Sequence, residues 1–105
     1  MAWVYLIGAG LAEIVWATLM KFTDGFTKPW PTTVTIVFMI VSFELLSLAL
    51  KELPMSTAYA VWVGIGAVGV AIVGMAFMNE PVTPLKLVFL GMIVAGIVGL
   101  KLTMA

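Results

Sequence analysis

The sequence predicts an all-α membrane protein with four transmembrane helices per chain. Two observations lead there. Of the 105 residues, 64% are hydrophobic and only 10% are charged, whereas soluble domains are about half apolar and about a quarter charged. A soluble chain this short could not hide so much apolar surface from water, so lipid is its solvent. A spanning helix takes about 20 mostly apolar residues, and four of them use nearly all of the 105. Residues 1–105 are therefore expected to form a single four-helix transmembrane domain with no catalytic head or nucleotide-binding domain.

The punctuation of the chain places each helix. Helix 1 is expected at about 3–20, followed by a turn carrying Lys21, Asp24, Gly25, Lys28, Pro29 and Pro31. Helix 2 follows at about 33–50 and ends at Lys51, Glu52 and Pro54. Helix 3 covers about 57–78, and Asn79, Glu80, Pro81 and Pro84 form the third connection. Helix 4 occupies about 85–103. Glycine, proline and charge are the break signals. The N-terminus lacks the basic region of a cleaved signal peptide.

Composition also removes function classes. There is no Cys and no His, so thiolate chemistry and the common zinc and haem sites are not expected. No cofactor and no metal is expected. Five Lys balance five acids, which leaves no basic patch for nucleic acid. No nucleophile–base set is visible, so an enzyme is not expected.

Four spans put both termini on one side, with Lys51 and Lys101. Lys21, Lys28 and Lys86 fall on the other. Orientation follows a Lys/Arg excess on the cytoplasmic side. Two against three is nearly a tie, which fits either a weak bias or insertion in both directions.

Glu13 and Glu44 lie inside apolar runs. A carboxylate at such depth costs about 2.5–3.5 kcal/mol on insertion scales, so an intramembrane acid is read as functional. Gly10, Trp16 and Ala17 share the helical face of Glu13. The small residues give space, the indole N–H of Trp16 can hold the carboxylate, and its ring face attracts a cation. One carboxyl group can hold a proton or a cationic substrate but not both well, which is a minimal mechanism for antiport. Glu44 points away from Ser42, and Lys51, two turns on, can snorkel toward it. A structural role and a site role both stand for Glu44.

Helix 3 carries Gly64, Gly66 and Gly69 in a G-x-G-x-x-G string. Without a preceding strand this is not a nucleotide fingerprint. Gly64 and Gly66 instead predict a thin, flexible helix. Tyr59 and Trp62, on one face, line either the cavity of Glu13 or an interfacial aromatic belt. Gly91, Ala95 and Gly99 form a small-xxx-small stripe on helix 4, which predicts dimer packing or packing within the chain. Transporters rock two related halves about a central site, and a second copy in the opposite orientation supplies the missing half.

The chain resembles the small multidrug resistance (SMR) transporters along essentially its whole length. The resemblance rests on Ala12-Glu13 with Lys21 and the Asp24-Gly25-Phe26 turn, Leu53-Pro54, Ala58-Tyr59-Ala60-Val61-Trp62 with Gly64 and Gly66, Glu80, and the glycine-rich last helix. It implies a proton-coupled exporter of small organic cations in a bacterial inner membrane, working as an antiparallel, dual-topology homodimer. It also implies that Glu13 binds protons and substrate in turn, and that Trp16, Ser42, Tyr59 and Trp62 shape the site. Trp16 and the ending Gly96-Ile97-Val98-Gly99-Leu100-Lys101 look like the guanidinium-exporter branch. Residues 18–22 and Trp30-Pro31 look like the quaternary-ammonium branch. Glu44, Ser56 and Val63 depart from the family pattern.

Trp16 touches the chemistry, so guanidinium or a substituted guanidinium ion is the expected substrate. The alternatives are a broad-specificity exporter of quaternary ammonium and other cations, or one half of a heterodimer with a paralogue. A passive cation channel lined by Glu13 and a non-transporting scaffold are the readings from other classes.

Overall fold

A computed structural model describes residues 1–103 as four helices, α1 (Ala2–Met20), α2 (Pro29–Ala49), α3 (Met55–Phe77) and α4 (Pro84–Thr103). Each is long and apolar enough to cross a membrane. α2 starts four residues before the expected boundary. Pro29 and Pro31 lie inside its first turn rather than in the connection. The first turn has no intrahelical partner for its N–H groups, so proline costs little there, and its fixed φ suits a helix start. Lys28 before it is extended, with φ −88° and ψ 117°, as the residue before a proline must be. Pro84 likewise opens α4 instead of preceding it, and Thr83 caps that helix by accepting the Lys86 N–H at 3.1 Å.

The connections are short and self-bonded. Asp24, Gly25 and Phe26 have φ of 51°, 70° and 67°. These three left-handed residues reverse the chain between α1 and α2. Thr23, fully buried, holds this turn by donating to the Met20 carbonyl and accepting from the Phe26 N–H. α3 ends on Asn79, with φ 56°, while the N–H groups of Met78 and Glu80 both donate to the Gly74 carbonyl. That left-handed C-terminal cap satisfies the last carbonyls of the helix. The Glu80 carboxyl group folds back over Gly74, and Lys86 stands 3.9 Å from it.

α1 packs between α2 and α3, and the backbone of α4 packs on the far side of α3. The order across the molecule is therefore α2, α1, α3, α4. Four helices side by side at 8–10 Å spacing span about 30–35 Å. The Cα extents of 43 × 35 × 16 Å match such a slab rather than a square bundle. The core lies at one end of the α1 seams, where Leu6 and Ala9 meet Ala49, Ala58, Val61 and Trp62. Among the described residues, α4 has none that is buried. Its Lys101 ammonium sits 5.5 Å from the centroid of the Trp3 ring.

Candidate functional site

The seam between α1 and α3 is built by glycines that receive side chains. A Cβ at Gly10 would stand 2.6 Å from Cγ2 of Ile65. One turn on, a Cβ at Gly66 would overlap the Glu13 carboxyl group, and one at Gly69 would overlap Ile14. Glu13 therefore lies directly on the backbone of α3, at mid-helix on both elements. Only glycine leaves room for it there. Gly66 was expected to give flexibility; in the structure it is the seat of the acid, within a continuous helix.

Glu13 is half-buried. Its Oε1 is occluded and has no hydrogen-bond partner among the described residues, and the same holds for Nε1 of Trp16. This corrects the expectation that the Trp16 N–H holds the carboxylate: the two groups are one turn apart but unbonded.

Ser42 is a structural bracket. It is fully buried, donates 2.8 Å to the Ala9 carbonyl on α1, and accepts the Trp62 Nε1–H at 3.0 Å from α3. The Ala9 carbonyl is also the helical acceptor position for the Glu13 N–H. One hydroxyl thus ties α2 and α3 to the turn that carries the acid. Trp62 spends its donor on this bond, so toward the outside it offers a ring face.

The rings form a connected row. Trp16 meets Phe43 edge-on at 6.1 Å between centroids, Phe43 meets Trp62 at 5.8 Å, and Trp62 meets Tyr59 at 5.8 Å. Phe43 is 46% exposed, Trp62 7% and Tyr59 58%, so exposed rings stand on both sides of the buried Trp62. Phe43 escaped the sequence reading, which weighed its neighbours Ser42 and Glu44. Its position beside a buried serine, on a helix facing two tryptophans, was the available signal.

Other sequence candidates fall elsewhere. Gly64 receives Ile93 and Ile97 of α4, away from Glu13. A Cβ at Gly91 or Gly99 would meet nothing within 4 Å, and Ala95 is exposed. The small-residue stripe is therefore not used for packing inside the chain. Glu44 is exposed on the side of α2 opposite Ser42. It forms no ion pair with Lys51 among the described residues, contrary to the snorkelling expectation. An apolar cavity lies beside the site, lined by Ile14, Val15, Thr18, Leu19 and Val73. A carboxyl group one helical turn from a tryptophan ring is chemically suited to a positive charge.

The family model for Small Multidrug Resistance protein matches residues 1–93. Curated relatives are similar over nearly the full length. A protein of Citrobacter freundii named Guanidinium exporter is 54% identical over 103 residues, covering 98% of each chain. Proteins of the same name from Salmonella typhi and Escherichia coli (strain K12) are each 52% identical with the same coverage. The helices, the mid-membrane acid seated on glycine and this continuous similarity converge, and the chain belongs to the Small Multidrug Resistance protein family.

Proposed function

We propose that this chain is a proton-coupled antiporter that exports small cations, with guanidinium and substituted guanidinium ions as its substrates. The observation that carries the reading is the Glu13 carboxyl group laid on Gly66 beside the unbonded Trp16 N–H. Guanidinium is planar and presents paired N–H groups that match a carboxylate. Its faces stack on aromatic rings, and the Trp16–Phe43–Trp62 row supplies them. A proton on Glu13 removes the charge that binds the cation, so the two ligands exclude one another. The names of the relatives support the same substrate class.

The working unit is an antiparallel homodimer in a bacterial inner membrane. A slab 16 Å thick cannot surround a cation by itself. A second copy over the open face would close the site, and α4, with no buried residue among those described, has its apolar surface to give to that contact. Insertion in both orientations fits the near-even lysine distribution and makes the dimer an inverted repeat. Gly64 and Gly66 then serve α3 twice, as seats for neighbouring side chains and as points where the helix bends between states.

Reconstitution of the chain alone into liposomes tests this. Guanidinium should evoke a transport current that Glu13→Gln abolishes, and tetraethylammonium, which has no N–H donors, should evoke none. A tetraethylammonium current equal to that of guanidinium would contradict the substrate assignment. A folded chain without current to either would contradict the homodimer and favour pairing with a paralogue.

A further inference from the structure

At the end of the slab where α1 begins and α2 finishes, a cavity of about 230 Å³ is lined by Met1, Tyr5, Leu48, Lys51 and Glu52. Its lining residue Tyr5 is about two turns from Glu13 on α1, and the proposed transport mechanism makes no use of it. Its position at two helix ends puts it at headgroup depth in a bilayer. Its lining is divided by chemistry. The Lys51 ammonium is cationic, Glu52 is anionic, and Met1, Leu48 and the Tyr5 ring form a largely apolar wall. The described residues give neither charged group an ion-pair partner, whereas Lys86 at the opposite end has Glu80.

The wall continues into the membrane. Leu48 shares a helical face of α2 with Val41, Ile40 and Val37, which are 43%, 63% and 51% exposed. Glu44 interrupts that stripe, and apolar surface resumes below it. A ligand held at Lys51 can therefore lay hydrocarbon along α2. A free anion has no use for such a surface, whereas a phospholipid does.

We propose that this pocket is a phospholipid headgroup site selective for phosphoethanolamine. The phosphodiester sits on the Lys51 ammonium, as charge-assisted hydrogen bonds favour. The headgroup amine donates to Glu52, and the acyl chains follow α2. Phosphocholine carries the same charges but no N–H, so it satisfies Lys51 and leaves Glu52 unbonded. Phosphoglycerol brings no cation for Glu52.

Native mass spectrometry of the delipidated full chain in detergent tests the site. The probes are dioctanoyl phosphatidylethanolamine, phosphatidylcholine and phosphatidylglycerol, with inorganic phosphate plus free ethanolamine as the headgroup without its chains. Wild type should retain phosphatidylethanolamine about tenfold more tightly than phosphatidylcholine, the scale of one charge-assisted hydrogen bond. Lys51→Gln should weaken all three lipids, and Glu52→Gln should remove only the preference for ethanolamine. Lys28→Gln, at the opposite end, should match wild type. Equal retention of ethanolamine and choline lipids overturns the proposal. So does unchanged retention by Lys51→Gln with wild-type helical content. Saturable binding of inorganic phosphate without lipid binding would make it a simple anion site and overturn it as well.

Discussion

Every glycine of α3 lies under a side chain from another segment. Gly64 receives Ile97, Gly66 receives Glu13, Gly69 receives Ile14 and Gly74 receives Glu80. On α4, a Cβ at Gly91, Gly96 or Gly99 would meet nothing within 4 Å. The two helices carry similar glycine spacing and opposite surroundings. Spacing shows that a helix can be approached closely; it does not say what approaches. On α3 the approach is made within the chain, and it sets the position of Glu13. On α4 no side chain among the described residues makes it.

Substitutions can sharpen or break that contrast. The largest effect is expected at Gly66. In Gly66→Ala the new methyl takes the place of the Glu13 carboxyl group, the flexible end of a side chain that can swing aside. Folding should survive, while guanidinium transport should fall by on the order of tenfold to a hundredfold, as for other misplaced reactive groups. Liposome flux beside a circular dichroism spectrum reads both quantities. Transport at the wild-type rate would mean that the seat is not the working position of the acid.

Gly10→Ala should act on stability instead. Its Cβ would meet both Cγ2 and Cβ of Ile65, at 2.6 and 2.8 Å, and a branched side chain close to its own backbone cannot swing away. Overpacking of this kind costs about 1–3 kcal/mol. Unfolding in mixed micelles should show the loss, and Ile65→Ala should recover part of it. An unchanged unfolding midpoint would refute the tight α1–α3 seam.

Ser42→Ala should cost about 1 kcal/mol, because it leaves the buried Trp62 N–H without an acceptor and interhelical hydrogen bonds in membranes are of this size. Trp62 fluorescence should broaden as the ring loses its anchor. A variant as stable as wild type would show that the bracket through Ala9 does not hold the three helices together.

The smallest effect within one chain is expected at Gly91→Ala and Gly99→Ala. Neither methyl meets a neighbour, and helix propensity favours alanine by up to about 1 kcal/mol. Helical content should hold or rise slightly. If transport and chemical crosslinking between copies fall while the helices persist, the open face of α4 belongs to the dimer. If both are unchanged, the dimer contact lies elsewhere.

Much of the architecture was readable from the residues. Four apolar runs broken by Lys, Asp, Gly and Pro place the helices; the energetic cost of an intramembrane carboxylate marks Glu13 and Glu44 alike, and only the neighbours Gly10, Trp16 and Ala17 set Glu13 apart. The prolines at 29, 31 and 84 were misplaced because proline both breaks helices and starts them. Only the geometry of the first turn separates the two uses. Gly66 could be recognised as a glycine on the right helix, yet its contact with Glu13 depends on how two helices rotate against each other. The Ser42–Trp62 bond and the place of Phe43 between two tryptophans are likewise tertiary facts, since the paired residues come from different helices. The resemblance of short motifs reached Ser42 and Trp62 as site residues without revealing that they bond to each other.

In the proposed mechanism one carboxyl group, Glu13, serves proton and cation in turn. The most direct measurement is proton movement during guanidinium transport. Liposomes would carry a pH-sensitive dye inside and a guanidinium gradient across the membrane, with no imposed pH difference. Guanidinium flux should drive protons in the opposite direction at a fixed ratio, and Glu13→Gln should stop both fluxes together. Guanidinium flux without proton exchange, or proton exchange that survives Glu13→Gln, would contradict that mechanism and point to a channel.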